Sequence, residues 1–489
     1  MPTLLRETPI AAPRELLARW HERPGAFERL VPPWEDMRVV ARTPAPPGAP
    51  GAGTPIGDGA RLEIVLRKGP LRLRWLAEHR GYAEGHAFED TAVHGPFRSW
   101  RHTHRFIDAR DRGRPGTGSI LRDEVAYELP LGRLARPALP LVRARLERMF
   151  AFRHDRTRAD VERHARYEDR PKLTVAVTGS HGFIGAPLVP FLTGGGHRVV
   201  RLVRGEAGPR PDGTLELPWR PYADPRDEAP ALAERLRAAG VDAVVHLAAR
   251  NIAAGRWNER RRREIHDSRE RPTRLLAEAL ARMARPPAAF IQASGISGIP
   301  SDLAAPADDR EPLAPGGGLG AGFLAGVTRA WEQASRPAEE AGVRTVRLRI
   351  GMVLGPKGSV LGTMLPAYRA GVAGPLGDGR QWWPWIALDD LLGVILFCLF
   401  EPSMTGVVHA LAPEPVRAIA FHRTLARAVG PPWSGPRAPA PLLRAAFGAM
   451  VDEALLASAR AVPGRLTDAG FRWLTPDLGQ AIRRELWVW

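Results

Sequence analysis

The chain predicts an α/β protein, a doubly wound parallel sheet with a small C-terminal cap, preceded by an α+β domain. Three observations carry this expectation. From Leu173 onward short apolar strands alternate with helical segments. The first of these strands runs into a glycine-spaced loop, "VAVTGSHGFIG" at 175–185. The first 165 residues read instead as one helix, a series of alternating strands and one long helix.

A chain of 489 residues exceeds one ordinary hydrophobic core, so two or three domains are expected. A hydrophobic content of 44% with 25% charged residues is that of a globular protein. Cys398 is the one cysteine, which excludes an intrachain disulfide and fits a reducing, cytoplasmic setting. The opening "MPTLLRETPIAAPREL" lacks the basic-then-apolar order of a secretory signal. The apolar run from Leu391 to Phe400 is about half of the roughly 20 residues a spanning helix needs, so it reads as a core helix and no membrane span is expected. The net charge is +17, yet of 70 basic residues only Lys68, Lys172 and Lys357 are lysines; the rest are arginines scattered along the chain. Acids interleave even the densest run, Glu259 to Arg274, which predicts a solvated helix face and no nucleic-acid partner.

In the N-terminal part, alternation marks strands at Leu62, Ile64 and Leu66, at Leu71, Leu73 and Trp75, at Trp100, His102, His104 and Phe106, and from Ile120 to Leu129. From Arg133 to about His164, apolar residues at Leu141, Val142, Leu146, Met149 and Phe150 follow helical spacing. A curved antiparallel sheet wrapped on one long helix is expected. With "WHERPGAFERLVPPWE", "GPLRLRWLAEHRGY", "GPFRSWRHTHRF" and "RMFAFRH", this order resembles the START/polyketide-cyclase helix-grip superfamily. The resemblance implies an apolar cavity between sheet and helix and a small hydrophobic ligand. His102 and His104 point to one side of their strand, but two histidines do not make a zinc site and no third ligand is evident nearby, so an ordinary polar strand face and no metal are expected.

The polar join "RYEDRPKL" at 166–173 ends this domain, giving expected domains of 1–168, 172–435 and 436–489. In the second, Gly179, Gly182 and Gly185 follow a strand and open a helix. Gly179 permits the tight turn, Gly182 the approach of a pyrophosphate, and Gly185 close helix packing; the helix N-terminus then faces the phosphates. This is a Rossmann-type dinucleotide site, to which Ser180, Phe183, Ile184, His246, Leu247 and Ala248 are also expected to contribute. The second strand ends at Val203 and Arg204 with no acid between Arg198 and Arg204. An arginine there suits a 2′-phosphate, so NADP is expected in preference to NAD. Pro190 is expected to kink the helix or cost it one hydrogen bond.

Further segments, among them "VDAVVHLAA", "FIQASGISG", "GFLAGVTRAWE" and "GDGRQWWPWIALDDL", resemble the YfcH-type branch of extended short-chain dehydrogenases, labelled NAD-dependent epimerase/dehydratase family proteins. The end of the chain, "LLRAAFGAMVDEALLASARAVPGRLTDAGFRW", is similar to the small C-terminal domain of that branch. The pairing with a helix-grip domain resembles a fusion seen in this group.

The resemblance implies a tyrosine with a lysine four residues later, plus a serine for the substrate oxygen. A lysine one helical turn from the tyrosine would lower the phenol pKa for proton exchange. Residues four before the three lysines are Ile64, Glu168 and Val353, so the pair exists nowhere in the chain. Leu324 and Thr328 stand at its usual place, and Gly298 and Ile299 stand where relatives carry tyrosines. Ser294 is retained as the catalytic candidate, either polarising a carbonyl or capping a strand end. His246 reads as a ribose contact or a buried, satisfied histidine; Asp267, Ser268 and Arg269 read as positioning residues. Two functions follow: an NADP-binding oxidoreductase or epimerase with an atypical active site, or a non-catalytic dinucleotide-dependent sensor or carrier of a hydrophobic ligand.

Overall fold

The computed structural model describes every residue except 114–116, 131, 254, 301–302, 311–312, 432, 434 and 489. It separates into two compact units. The first holds Met1–Lys172 with Val189–Arg198 and Pro209–Thr214; the second holds Leu173–Leu188, Val199–Gly208 and Leu215–Trp489.

The first unit is built on seven antiparallel strands: β1 (Thr3–Ile10), β2 (Asp36–Thr43), β3 (Arg61–Lys68), β4 (Leu71–Ala83), β5 (Ala87–His94), β6 (Ser99–Asp108) and β7 (Ser119–Glu128). Their order is β1-β7-β6-β5-β4-β3-β2, so each strand after β2 pairs with its predecessor and β1 closes on β7. Two helices, α1 (Arg14–Glu22) and α2 (Ala26–Arg29), link β1 to β2, and α3 (Leu139–Ala165) follows β7. One core joins Leu4, Ile64, Trp75, Trp100 and Val125 of the sheet to Leu146, Met149 and Phe150 of α3. Burial of such side chains stabilises by about 1.5–3 kcal/mol each.

Two expectations need correction here. Leu141 is 76% exposed and does not join the apolar face, because within α3 the inward stripe is Val142, Leu146, Met149 and Phe150, and Leu141 lies off it; Gly132–Ala138 forms a 3₁₀ turn, so α3 starts only at Leu139. His102 and His104, expected on an ordinary polar strand face, are buried among apolar residues: β6 alternates buried Trp100, His102, His104 and Phe106 with outward residues.

The second unit carries an eight-stranded sheet in the order β10-β11-β9-β8-β12-β13-β14-β18. Its strands are β8 (Thr174–Thr178), β9 (Arg198–Val203), β10 (Gly208–Pro209), β11 (Leu215–Pro218), β12 (Ala243–His246), β13 (Ala289–Gly295), β14 (Thr345–Ile350) and, after three short strands, β18 (Gly406–Ala410). The short ones are β15 (Met352–Leu354) paired with β17 (Trp385–Ala387), and β16 (Trp382–Trp383) paired with β19 (Val416–Arg417). β11 pairs parallel with β9, β12 with β8 and β13, and β14 with β13 and β18. The helices between are α4 (Gly185–Gly194), α5 (Pro225–Ala238), α6 (Glu259–Ala281), α7 (Phe323–Gln333), α8 (Arg336–Glu340), α9 (Val360–Arg369) and α10 (Leu388–Phe400). After them come α11 (Ala418–Val429), α12 (Ala440–Phe447), α13 (Gly464–Asp468) and α14 (Leu478–Leu486). This is the expected doubly wound order, which reverses between β8 and β12 and opens a crevice there at the carboxyl ends of the strands. α10 is buried along nearly its whole length, as a core helix, and no described helix is long and apolar enough to cross a membrane. Pro190 lies inside α4, which continues to Gly194 with one amide donor fewer.

Buried histidines give the first unit an acid sensitivity. Burial pushes His21 and His164 down to about 3, and His197 likewise, from an ordinary 6.5. These rings fold in the neutral form, while the unfolded chain takes up protons below pH 6.5. Stability is therefore undiminished by them above 6.5, falls as the pH drops below it, and stops falling near 3. The loss is about 1.4 kcal/mol per pH unit for each ring at most. Urea midpoints should fall steadily between pH 6.5 and 5; a flat profile over that range contradicts this reading.

Candidate functional site

The crevice at the sheet reversal is shaped by the loop between β8 and α4. Gly179 sits at φ +66°, which favours glycine, and a Cβ there would lie 2.9 Å from the Leu247 carbonyl carbon and 3.0 Å from the Ala248 nitrogen. The turn thus lies directly against the end of β12. A Cβ on Gly185 would come within 2.2 Å of the Gly179 carbonyl oxygen, so the first turn of α4 closes on the loop only without a side chain. The Gly182 amide donates to Gly179 O at 2.9 Å, and the Ala186 amide to Gly182 O at 2.9 Å. His181 and Gly182 are exposed, Phe183 and Ile184 half-buried, and Ser180 buried with its hydroxyl 3.4 Å from His181 Nδ1. This leaves a solvent-facing loop backbone at a helix N-terminus, the arrangement that receives phosphate.

Thr178 fixes the neighbouring strand end. Its hydroxyl accepts from the amides of Leu247 and Ala248, each at 3.1 Å, and lies 2.7 Å from His246 Nδ1. The other ring nitrogen of His246 is 2.9 Å from the Thr273 hydroxyl, which also accepts from the Trp331 indole at 3.0 Å. His246 has no accessible surface, and burial pushes its pKa down to about 3. The structure thus corrects the ribose-contact reading: with both nitrogens engaged and the ring enclosed, His246 braces the strand end. Leu247 and Ala248 are half-buried at the crevice.

Arg204 follows β9 directly and is exposed. Arg201 is half-buried opposite Glu216 of β11, a carboxylate that also stands 3.7 Å from His181. Sequence spacing gave no signal for Glu216, because strand pairing across a separate loop brings it in. Phe183 meets another segment the spacing did not reveal: a Cβ on Gly355 would lie 2.8 Å from its ring, and one on Gly358 3.3 Å. The loop between these glycines carries the exposed Lys357.

Ser294, near the end of β13, is 4% exposed, and its hydroxyl donates to Glu332 Oε1 at 2.7 Å. Glu332 is paired with Arg349 through Nε at 2.8 Å and Nη2 at 2.9 Å, both side chains being fully enclosed, and it accepts from the Gly316 amide at 2.6 Å. The Ser294 proton is thereby committed to a carboxylate and is not offered to a carbonyl. Thr328 is buried on α7 beside Gly295, where a Cβ would lie 3.3 Å from its hydroxyl. The first amides of α7, those of Phe323 and Leu324, donate to the Glu453 carboxylate at 3.0 and 3.1 Å. A carboxylate at a helix N-terminus is favourable for both. Ser268 and Arg269 anchor the segment after β12: the Ser268 hydroxyl accepts from the Arg250 amide at 3.2 Å, and Arg269 donates to Arg250 O at 3.0 Å.

The first unit holds a separate cavity of about 370 Å³ with mostly apolar walls. His79, Asp90, His104 and Arg153 interrupt them. Strand register explains the cluster and supplies what sequence spacing did not: Asp90 of β5 faces His102 across the ladder, and His104 faces Asp123 of β7. Asp90 Oδ2 lies 2.8 Å from His102 Nδ1, and Asp123 Oδ1 2.9 Å from His104 Nδ1. Burial opposes charge on His102, but the two carboxylates outweigh it and lift the ring to about 9. Burial also opposes charge on Asp90 and Asp123, yet their histidines hold both well below the usual carboxylate range.

Comparison with known proteins places these features. The NAD dependent epimerase/dehydratase family matches residues 175–408, and a domain of unknown function, DUF1731, matches 438–485. The chain is 36% identical over 308 residues to the epimerase family protein Mb2239 of Mycobacterium bovis, covering 63% of this chain and 96% of that one. It is 32% identical over 316 residues to human epimerase family protein SDR39U1, covering 64% and 99%. Among solved structures, a nucleoside-diphosphate sugar epimerase from Corynebacterium glutamicum aligns over 99% of this chain and 90% of its own, with TM-score 0.72 and 28% identity. Human SDR39U1 with NADPH aligns over 64% of this chain and 98% of its own, with TM-score 0.55 and 31% identity.

Proposed function

Because the chain belongs to the NAD dependent epimerase/dehydratase family, we propose that it binds NADP(H) in the crevice between β8 and β12 and works as an oxidoreductase or epimerase with an atypical active site. The observation that carries this reading is the loop Gly179–Gly185, closed by two glycines that admit no side chain and placed at the sheet reversal. The residues fit a dinucleotide. The loop around Ser180, Phe183 and Ile184 and the first turn at Gly185 face the pyrophosphate, which the side-chain-free, exposed Gly182 lets approach, while Leu247 and Ala248 line the ribose side. Arg204, exposed at the end of β9, holds the 2′-phosphate, and Lys357 adds positive charge beside Phe183. The NADPH bound to the similar human protein supports this choice. The bound nicotinamide supplies hydride transfer; the chain holds and orients it and shields the strand ends from water.

Catalytic duty is harder to assign to Ser294, whose proton goes to Glu332. That bond, with the Glu453 carboxylate on the first amides of α7, favours a second reading: a dinucleotide-dependent sensor. The proposed domains are 1–168, 172–435 and 436–489. In the first, the order of strands and helices and the cavity support a START/polyketide-cyclase-like unit for a small hydrophobic ligand.

Calorimetric titration with NADPH and NADH tests the binding. The wild type should prefer NADPH, and Arg204→Glu should weaken NADPH at least about tenfold while sparing NADH, since one lost charge-assisted contact is worth about 1.5–3 kcal/mol. Equal loss for both nucleotides, or no binding, contradicts the assignment. Turnover of a carbonyl substrate that disappears in Ser294→Ala would exclude the sensor reading.

A further inference from the structure

We infer that the cavity of the first unit contains a metal site, in which Asp90 Oδ2, His102 Nδ1 and His104 Nε2 bind one divalent first-row transition-metal ion with open positions toward the cavity. The three donor atoms lie within 4.8 Å of one another. Asp90 Oδ2 is 2.8 Å from His102 Nδ1 and 3.7 Å from His104 Nε2, so two imidazoles and one carboxylate converge from adjacent strands. Two histidines and a carboxylate on one side of an ion suit zinc, iron, cobalt or copper and leave the far side free.

The surroundings are those of a ligand set held from behind. A metal-bound histidine usually presents its other ring nitrogen to a carboxylate, which sets its tautomer and orientation. Here one buried carboxylate lies behind both rings at ion-pair distance, without hydrogen-bond geometry to either: Asp123 Oδ1 is 2.9 Å from His104 Nδ1, and Asp123 Oδ2 is 3.5 Å from His102 Nε2. Asp123 is itself held by His154 Nε2 at 3.1 Å, and His154 by the Thr8 hydroxyl at 2.9 Å. The Trp100 indole donates to Asp90 Oδ1 at 2.9 Å, leaving Oδ2 to the ion. Phe88 stacks on His104 at 4.2 Å and fixes that ring.

A second observation points to a ligand independently. His79, 7% exposed, lines the same cavity with Asp90 and His104, and its Nδ1 has no hydrogen-bond partner among the described residues. A buried polar nitrogen left unpaired is costly unless it meets something in the cavity. Arg153 also lines this cavity, and its Nε has no hydrogen-bond partner among the described residues. An apolar molecule ending in an anionic oxygen group would place that end between the ion and Arg153 and its body among the apolar walls. The residues of the site all belong to the first unit.

Cobalt(II) titration of the full chain, stripped with a chelator, tests this. One equivalent should bind with visible d–d absorption and be displaced by zinc. His104→Gln and Asp90→Asn should each weaken binding at least about tenfold, and Asp123→Asn about 10- to 100-fold, with circular dichroism and NADPH titration unchanged. No saturable absorption, or equal binding by the three variants, overturns the proposal. Should the variants fail to fold, copper(II)-loaded wild type reports its imidazole count by electron spin echo: two support the site, and none or one overturns it.

Discussion

Gly185→Val should abolish measurable NADPH binding. The first side-chain carbon alone would lie 2.2 Å from the Gly179 carbonyl oxygen, and the branched methyls add to that clash. Backbone sits on both sides, so no flexible side chain can yield; the loop must move off the strand end, taking its amides out of line with the helix axis. Affinity should drop by at least about a hundredfold, roughly 2.7 kcal/mol or more. Isothermal titration measures this directly. The comparison variant is Gly182→Ala, whose Cβ would meet only Gly179 O at 3.1 Å and whose loss should be smaller. Equal losses would mean that the loop is not held in the shape described.

Glu332→Leu should destabilise the second unit by about 3–5 kcal/mol, because it leaves Arg349 charged and without accessible surface. It also removes the acceptors of Ser294 and the Gly316 amide. The double variant Glu332→Leu, Arg349→Met should recover much of the loss, since a buried pair replaced by apolar groups of similar volume is often neutral. Urea unfolding of both proteins decides this. A single variant as stable as wild type would contradict the enclosed pair.

What the sequence disclosed and what it withheld divide along contact distance. The glycine loop was legible because strand, turn and helix are adjacent, and glycine spacing reports local clearances. The parallel, doubly wound sheet followed from regular alternation of strand and helix, whereas its strand order did not. Ser294 was visible as a strand-end serine, but its partner was not: Glu332 is 38 residues away and Arg349 a further 17. The same holds for the cavity. His102 and His104 are near in sequence, whereas Asp90 and Asp123 join them only through strand register, which no periodicity states. Leu141 misled because it lies within α3 but off the stripe of Val142, Leu146, Met149 and Phe150 that faces the sheet.

Hydrogen–deuterium exchange of the full chain with and without NADPH tests the central claim most directly. The account predicts added protection in the segments 179–186 and 247–250 and around Arg204, with the first unit's strands unchanged. Protection elsewhere, or none at saturating NADPH, would contradict a dinucleotide seated on the loop from Gly179 to Gly185.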